Sequence, residues 1–286
     1  MVSNLHNLPE PLVKALTPER RKPVPGRIGV TALIDSPLRR LLTMRHFDEI
    51  IEDASDSFWA LIGKSVHYVI EQGDKNTEMK ISQQAFGATI VGIVDYFKNG
   101  HIIDWKTTSV WSAVFSDGKD WEKQLQCYSY LLRSLGHPVD KLSVYMILRD
   151  WNKRESQKSP DTYPMIPFKA ISYTPWDKMT VEAFVSERVS LHLLAEKVAL
   201  ASTSIEIPAE FWCTPAERWE KPTKYAAKSV GKDRAVRVFD TEEECSKFIF
   251  DTKMFLEVRP GEQTKCLSYC AVAQWCACFA KLKEAV

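Results

Sequence analysis

The sequence predicts an α/β fold in which a central mixed sheet is flanked by helices. Residues 88–97 and 101–107 are rich in β-branched and aromatic residues, and the Asn99-Gly100 pair between them is the strongest short signal for a type I′ hairpin. Apolar residues recur at helical spacing before this hairpin, from 57 to 72, and after it, from 119 to 135. The order of helix, three strands, helix and strand is typical of a layered α/β domain.

The composition is that of a soluble globular protein, with 45% hydrophobic and 26% charged residues in a chain of 286. The 38 basic and 37 acidic residues give a net charge of +1, so the chain as a whole does not attract nucleic acid. No apolar run approaches 18 residues, and the N-terminus lacks a signal-peptide pattern. We therefore expect an intracellular protein that does not contact membranes.

Changes in composition predict three regions. Residues 1–29, with scattered prolines and a basic run, are predicted to form an extended N-terminal arm, for which a solvated tail is the preferred interpretation; residues 30–207 form the core; residues 208–286, with the basic hairpin and the cysteine cluster, form a segment that packs on it. Further patterns predict a short helix at 38–44, strands at 79–85, 142–148 and 165–173, a polar loop at 151–164, a helix from Thr174-Pro175 to about Ser202 and another from Thr241 to about Phe250. The loop at 151–164 either covers a substrate or is simply solvated.

The predicted hairpin brings two carboxylates together. If Asn99 and Gly100 form the loop, Lys98 pairs with His101, and counting outward places Asp95 directly opposite Asp104. Lys106 lies on the same face of its strand as Asp104. Opposed carboxylates among apolar residues repel each other, which favours a divalent cation between them. The alternative is a solvated ion pair between Asp104 and Lys106, with Asp95 an ordinary residue at a strand end.

Each of the two helices carries polar residues at a suggestive position. Gly63, His67 and Glu71 are four residues apart and form one stripe beside the apolar face. His67 is either a buried structural histidine or a metal ligand, and its place just before the carboxylate-bearing strands favours the ligand. Gly63 either allows close helix packing or is simply tolerated. Gln124 lies within the apolar stripe of the second helix, four residues before Tyr128, and must find a hydrogen-bonding partner, either a functional group or the backbone.

Basic residues accumulate in the segment from 218 to 237, which is predicted to be a hairpin turning near Gly231. Only Glu220 and Asp233 oppose them within this segment. The cluster fits contacts with phosphate groups, although such a run is also typical of a solvated face, and both interpretations stay open. The candidate nucleic-acid contacts are Arg218, Lys224, Lys228, Lys232 and Arg234.

Four of the seven cysteines lie within residues 266–278, which favours metal binding over disulfides. Cys266 and Cys270 have three residues between them, and Cys270 and Cys276 have five. Thiolates suit zinc and iron–sulfur clusters alike, and buried free thiols are the alternative. The candidate ligands are Cys213, Cys266, Cys270 and Cys276, with Cys278 as a substitute for Cys276. Cys127 and Cys245 are predicted to be core residues.

Four motifs, in this order, resemble those of the PD-(D/E)XK nuclease superfamily and, within it, the RecB-like branch. Gly63-x-x-x-His67 is similar to the first motif, Gly92-Ile93-Val94-Asp95 to the second and Asp104-Trp105-Lys106 to the third. Gln124-x-x-x-Tyr128 is similar to the trailing motif that marks RecB-like members. The motifs cover about residues 60–130, and the resemblance implies a restriction-endonuclease-like fold.

The resemblance also implies roles for the residues of these motifs. Lys106 would orient and stabilise the attacking hydroxide, Glu71 would be an outer helper, and Gln124 and Tyr128 would steady the site and the DNA backbone. A metal lowers the pKa of its bound water and polarises the scissile phosphate, while a lysine adds positive charge to the transition state. The implied ligands of Mg²⁺ or Mn²⁺ are His67, Asp95, Asp104 and the carbonyl of Trp105.

The terminal cysteines resemble those of the iron–sulfur-bearing nucleases of this branch, which include phage and CRISPR-associated exonucleases. Those proteins take a first cysteine from a segment similar to Thr31–Leu42, where this chain has Ser36, so Cys213 would replace it. The spacing from Cys270 to Cys276 matches theirs, and the spacing before it is one residue longer. The resemblance favours a [4Fe–4S] cluster over structural Zn²⁺.

The function expected from these observations is that of a metal-dependent DNA nuclease. It would be an exonuclease that acts at DNA ends or on single strands in recombination, repair or phage DNA processing. A single-strand annealing or recombination protein is the candidate protein partner, and the cytoplasm of a bacterium or a phage-infected host is the expected location. A non-cutting module that clamps DNA ends and a nuclease acting on RNA are the alternatives.

Overall fold

The fold is described from a computed structural model that covers residues 1–17, 19–201, 207–251 and 253–284. Contacts between residues divide the chain into two compact units, residues 1–206 and residues 207–286. Among the described helices, none combines the length and the apolar composition needed to cross a membrane.

The first unit is built on a mixed sheet, as the sequence predicts. Its strands are β1 (Val2–Ser3), β2 (Arg27–Gly29), β3 (Glu52–Asp53), β4 (Thr77–Ala85), β5 (Ala88–Lys98), β6 (His101–Thr108), β7 (Lys141–Leu148) and β8 (Phe168–Tyr173). Its helices are α1 (Glu10–Leu16), α2 (Val30–Leu33), α3 (Pro37–His46), α4 (Phe58–Glu71), α5 (Val110–Phe115), α6 (Lys119–Ser134), α7 (Lys153–Lys158) and α8 (Lys178–Leu200), with a 3-10 helix at Ala54–Ser57. The large sheet runs β2-β5-β6-β7-β8, and β4 also pairs with β5. Within this large sheet, the pairs β2–β5 and β6–β7 are parallel, and the pairs β4–β5, β5–β6 and β7–β8 are antiparallel. Strands β1 and β3 form a separate parallel pair.

The central hairpin has the predicted turn and register. Asn99 and Gly100 both have positive φ, 49° and 75°, as a type I′ turn requires, and Lys98 pairs with His101. The Asn-Gly pair adopts this backbone at low cost, so a purely local signal fixes the pairing of β5 with β6.

The core lies between the sheet and the helices α6 and α8. Leu125, Leu131 and Leu132 form the apolar stripe of α6 and are fully buried against strand residues such as Ile90 and Val144. Burying each such side chain contributes about 1.5–3 kcal/mol. The predicted apolar face of α6 is confirmed, and it holds this helix firmly against β4, β6 and β7.

The N-terminal 29 residues are not the extended arm that the sequence suggests. Residues 10–16 form α1, whose Leu16 is buried, and residues 27–29 join the sheet as β2 in parallel with β5. Ile28 is fully buried at the centre of β2, which explains why so short a strand is retained. The prediction failed because a three-residue strand gives no periodic signal of its own.

Helix α4 has the predicted bounds to within one residue, but much of its predicted apolar face is exposed. Trp59 is 59% exposed and Val69 is 69% exposed, and no residue of α4 is fully buried. Helical spacing of apolar residues therefore located the helix but overstated its burial.

Two further elements differ from the sequence prediction. The polar loop at 151–164 contains the short helix α7, whose N-cap Asn152 accepts hydrogen bonds from the backbone of Arg154 and Glu155. Helix α8 begins at Lys178 rather than at Thr174-Pro175, because Asp177 supplies the N-cap. The predicted end of this helix near Ser202 lies outside the described residues.

The second unit contains small sheets, short helices and the predicted basic hairpin. Its strands are β9 (Glu220–Lys221), β10 (Lys224–Ser229), β11 (Arg237–Phe239), β12 (Met254–Arg259) and β13 (Glu262–Gln263), and its helices are α9 (Glu242–Phe248), α10 (Thr264–Ser268) and α11 (Ala277–Glu284), with 3-10 helices at Ala209–Phe211 and Ala273–Trp275. Strands β10 and β11 pair antiparallel around Gly231, which has φ 75°. Strand β12, which the sequence analysis missed, pairs along the other edge of β10.

Candidate active site

Backbone pairing along one edge of strand β5 is interrupted near Asp95. One edge of β5 pairs with β4 over almost its whole length, while its other edge pairs with β2 at residues 89–91 and with β6 only at residues 96–98. Residues 92–95 therefore face a gap between β2 and β6. The ladder with β6 ends at Tyr96 and Ile103, one pair before the predicted pairing of Asp95 with Asp104. The predicted register holds, but the strands diverge where the two carboxylates would meet.

Beside this gap, the side chain of Asp95 takes the place of a backbone carbonyl as the acceptor for a β6 N–H group. Its Oδ2 accepts a hydrogen bond from the backbone N–H of Trp105 at 2.9 Å. Burial, followed by the negative charge of Asp104, raises the pKa of Asp95 to about 6. The site therefore holds two carboxylates close enough to repel each other, in surroundings that penalise their charge.

Asp104 and Lys106 face the same side of β6, as predicted. Asp104 is buried, and its Oδ2 lies 2.7 Å from Nζ of Lys106. Beyond this ion pair, Oδ2 has no hydrogen-bond donor among the described residues. Its Oδ1 accepts a hydrogen bond from Nε2 of Gln124 at 3.0 Å. A buried carboxylate oxygen whose one close partner is an ammonium favours positive charge beside it.

Helix α4 packs against β6 and delivers His67 to this site. Nε2 of His67 lies 2.9 Å from the carbonyl oxygen of Trp105, and Nδ1 lies 3.7 Å from Oδ2 of Asp95. The carbonyl can only accept, so Nε2 carries the proton in this arrangement. His67, Asp95 and the Trp105 carbonyl are thus neighbours, as the resemblance implies.

Glu78 belongs to the site, and the sequence analysis missed it. One ligand atom from each of His67, Glu78 and Asp95 lies within 4.8 Å of the other two. The predicted strand began one residue later, at Met79. Extending the antiparallel count from the turn at 86–87 would have placed Glu78 opposite Asp95, because Ala85 pairs with Ala88.

Glu71 lies beside Glu78 rather than among these three residues. The two glutamates share a side-chain hydrogen bond, and burial, followed by the charge of Glu71, raises the pKa of Glu78. Glu71 and Glu78 both line an open cleft of about 450 Å³ with His67, Tyr68, Lys64 and Gly63. The predicted stripe of Gly63, His67 and Glu71 therefore faces one cleft.

Gln124 has the functional partners that its buried position demands. Its Nε2 donates to Asp104 and, at 3.3 Å, to the hydroxyl of Tyr128, while its Oε1 lies 3.5 Å from Nζ of Lys106. The backbone alternative is replaced by a network that holds both Asp104 and Lys106. Burial raises the pKa of Tyr128, so its hydroxyl stays protonated at neutral pH.

The two glycines of the motifs, Gly92 and Gly63, differ in whether the structure requires a glycine at their position. A Cβ atom on Gly92 would lie 2.7 Å from the ring of Tyr128, so only glycine lets this ring pack against β5. A Cβ atom on Gly63 would meet nothing within 4 Å. The expectation that Gly63 allows close helix packing is therefore wrong, and it is a tolerated helix glycine.

The residues present fit a divalent metal. Carboxylate and carbonyl oxygens with one imidazole form a donor set that suits Mg²⁺ and Mn²⁺. A cation would relieve the repulsion between Asp95 and Asp104, which raises the pKa of Asp95. Asp104 lies outside the group defined by His67, Glu78 and Asp95, and its carboxylate is turned toward Lys106.

The basic residues of the second unit are largely neutralised. Arg218 pairs with Glu220, Lys224 with Asp240 and Lys228 with Glu257. Asp240 and Glu257 lie outside the 218–237 segment, which is why sequence counting overestimated its charge. Lys232 and Arg234 are exposed and pair with no carboxylate among the residues that the structure describes.

The terminal cysteines are neighbours within the second unit. Burial, followed by the nearby thiols of Cys270 and Cys276, raises the pKa of Cys266 to about 11. Cys276 also interacts with Cys278 and Cys270. Among described residues, no three cysteine sulfurs lie within 4.8 Å of one another. Cys127 and Cys245 are buried, as predicted.

The chain belongs to the PD-(D/E)XK nuclease superfamily, whose family profile matches residues 9–277. This match spans far more of the chain than the four motifs do, and the mixed sheet with flanking helices agrees with it.

Two solved structures are similar to this chain at low identity. The protein SSO0001 shares 19% identity, with 64% of this chain and 85% of that chain covered and a TM-score of 0.43. A phage-related exonuclease from Haemophilus somnus 129PT shares 14% identity, with 62% and 96% covered and a TM-score of 0.40. At these scores the likeness carries no inference about activity. No curated protein matches the chain.

Proposed function

We propose that this protein is a metal-dependent nuclease that hydrolyses phosphodiester bonds of DNA at ends or on single strands. The observation that carries this proposal is the convergence of His67, Asp95, Asp104 and Lys106 at the gap beside β5. These residues come from three different elements, α4, β5 and β6. Their types match those that phosphodiester hydrolysis needs, namely metal ligands and a neighbouring cation.

His67, Asp95, Asp104 and the carbonyl of Trp105 would hold Mg²⁺ or Mn²⁺. When bound, such an ion supplies a water of lowered pKa and neutralises charge on the scissile phosphate. The N–H of Trp105 holds the Asp95 carboxylate in place, and Gln124 holds the Asp104 carboxylate.

Lys106 would supply the positive charge that the transition state needs. It is anchored between Asp104 and Gln124 but remains partly exposed, so its ammonium can reach a bound phosphate. Gln124 and Tyr128 would hold this ammonium and the Asp104 carboxylate in register. This arrangement supports assignment to the RecB-like branch, of which the glutamine and tyrosine pair is the mark. Glu71 would act from outside the ligand set.

The second unit would add a cluster and nucleic-acid contacts. Cys213, Cys266, Cys270 and Cys276 would bind a [4Fe–4S] cluster, with Zn²⁺ as the alternative. Absorbance near about 400 nm in an anaerobic preparation, with iron content, supports the cluster; a colourless preparation that contains zinc rejects it. Lys232 and Arg234, which are exposed, are the strongest candidates for phosphate contacts.

The test of this function is cleavage of end-labelled nucleic acids. Linear and closed-circular DNA, single- and double-stranded, and matched RNA are each incubated with Mn²⁺, Mg²⁺ or EDTA. Metal-dependent loss of linear DNA alone is the expected result. Preferential cleavage of RNA would show that the protein is a nuclease acting on RNA. Binding of DNA ends without cleavage in any metal would show that it is a module that clamps DNA ends. The proposed protein partner is a single-strand annealing or recombination protein. The proposed location is the cytoplasm of a bacterium or of a phage-infected host.

A further inference from the structure

Glu78 has a backbone conformation that a strand residue rarely adopts. Its φ is +53°, in the left-handed region, although it lies inside β4. Thr77 pairs with Tyr96 and Met79 with Val94, while Glu78 and Asp95 between them are opposite each other but unpaired. A left-handed residue that is not glycine costs roughly 1–2 kcal/mol, and surrounding structure must hold it there.

The Glu78 carboxylate lies in the site. Directly opposed residues of an antiparallel pair share one face of the sheet, which brings Glu78 beside Asp95. A carboxylate oxygen of Glu78 lies within 4.8 Å of ligand atoms of both His67 and Asp95. Glu71 then contacts Glu78 from the adjacent turn of α4.

We propose that Glu78 is a direct ligand of the divalent metal, on the β4 side of the site opposite Asp104. The inference rests on the proposed function, because it assigns a residue to the metal of that site. Glu71 is a positioning residue that hydrogen-bonds Glu78. The motif pattern of the sequence does not include Glu78.

Charge and access support this assignment. Glu71, Glu78 and Asp95 bring three carboxylates around one imidazole, an arrangement that a divalent cation stabilises. Lys106, the ammonium nearest Asp104, is on β6 and already engaged there. The cleft that Glu78 and His67 line is open, so an ion and its waters can enter from solvent.

The alternative is that Glu78 only shapes a local distortion of β4, whose register with β5 is the same on both sides of it. Replacement by glycine separates these roles, because glycine adopts positive φ without strain but has no carboxylate. Replacement by glutamine keeps the size of the side chain and removes its charge. Glu187→Gln is the matched control, since Glu187 is exposed on α8 and has no described contact with the site.

The experiment measures Mn²⁺ affinity by titration calorimetry and by the paramagnetic resonance signal of free Mn²⁺, using the full chain. Mn²⁺ prefers oxygen and nitrogen ligands, so the cysteines of the second unit do not compete. Glu78→Gln and Glu78→Gly are expected to bind Mn²⁺ at least about 10-fold more weakly, while Glu187→Gln binds as the wild type does. Circular dichroism and the melting temperature without metal check that each variant folds.

Asp95→Asn distinguishes the two levels of the proposal. If Asp95→Asn loses Mn²⁺ binding and both Glu78 variants bind within about twofold of wild type, the Glu78 assignment is overturned and the metal site stands. If the wild type does not bind Mn²⁺, or if Asp95→Asn binds Mn²⁺ as tightly as the wild type does, the metal site and the Glu78 assignment are both overturned. If Glu78→Gln loses Mn²⁺ binding while Glu78→Gly binds as the wild type does, Glu78 has only a structural role in β4 and the assignment is again overturned.

Discussion

Oδ2 of Asp104 lies 2.7 Å from Nζ of Lys106, two residues further along the same face of β6. Pairing of β6 with β7, which continues through both residues, keeps this stretch of strand regular. Because the carboxylate is buried and the ammonium partly exposed, the positive end of the pair is the end that solvent reaches. This polarity is what a site for phosphate hydrolysis requires.

Replacing Gln124 by leucine is expected to reduce activity more than stability. The variant removes the donor to Asp104 and the acceptor for Lys106, so both side chains lose their orientation. Cleavage rate should fall at least about 10-fold, with a loss of about 1–3 kcal/mol in the free energy of unfolding. Cleavage kinetics and urea unfolding measure the two effects.

Gln126→Leu is the matched control on the same helix. Gln126 is buried too, but it bonds the carbonyl of Thr174 and the amide of Trp176, away from the site. This variant should lose stability and keep its activity per folded molecule. Equal activity losses in the two variants would show that Gln124 acts only through folding.

Gly92→Ala should destabilise the protein, whereas Gly63→Ala should not. The added methyl at 92 would lie 2.7 Å from the Tyr128 ring, which must shift and disturb its contact with Gln124. Overpacking of this kind costs about 1–3 kcal/mol. At Gly63 the methyl meets nothing, and helix propensity should add up to about 1 kcal/mol. Melting temperatures decide, and a stable Gly92→Ala protein would contradict the packing described.

Stability should fall as the pH drops from about 6.5 to about 4, in part because of His192. Burial, followed by the charges of Arg188 and Arg40, lowers the pKa of His192 to about 4. Between these pH values, His192 is protonated in the unfolded chain but stays neutral in the folded chain, so acidification favours unfolding. The lowered pKa of His192 corresponds to about 3 kcal/mol in the free energy of unfolding.

The variant His192→Gln tests this pH dependence, because glutamine can still donate to the carbonyl of Leu33 but does not titrate here. Urea unfolding at pH 7 and pH 4.5 should show a smaller decrease for the variant than for wild type. Identical decreases would mean that His192 contributes nothing to acid sensitivity.

Glu196→Gln should be among the most destabilising single substitutions in the first unit. The carboxylate of Glu196 pairs with the buried guanidinium of Arg40 and accepts from the N–H of Gly26, which ties residues 24–27 to α8. Removing one charge of a buried pair costs about 3–5 kcal/mol. The exposed pair of Glu10 with Lys14 offers the comparison, and Glu10→Gln should cost less than about 1 kcal/mol. Similar unfolding energies for the two variants would contradict this contrast.

The parts of the structure that local signals determine were predicted well. The Asn99-Gly100 turn fixed the pairing of β5 with β6, and the apolar stripe of α6 correctly put Gln124 on a buried face. Only the family resemblance implied that Gln124 belongs to the site of Asp104 and Lys106, and the structure brings the three side chains together.

Features that depend on distant parts of the chain were missed. β2 is held only by its pairing with β5, and the gap beside Asp95 exists because β2 and β6 share one edge. Glu78 was missed because the predicted strand began at Met79, one residue after it, and because its left-handed backbone is unusual inside a strand. Likewise, Asp240 and Glu257 neutralise the basic hairpin from other elements. Pairing across the chain, rather than composition, determines each of these.

The measurement that tests the central claim most directly is single-turnover cleavage of linear DNA in saturating Mn²⁺ by wild type, Lys106→Met and Lys141→Met. Lys141 is an exposed lysine at the start of β7, in the same sheet, and serves as the control. Cleavage should be rapid in wild type and Lys141→Met and fall by at least about 100-fold in Lys106→Met, at a Mn²⁺ concentration shown to saturate each protein. Full cleavage by Lys106→Met would contradict the proposed site.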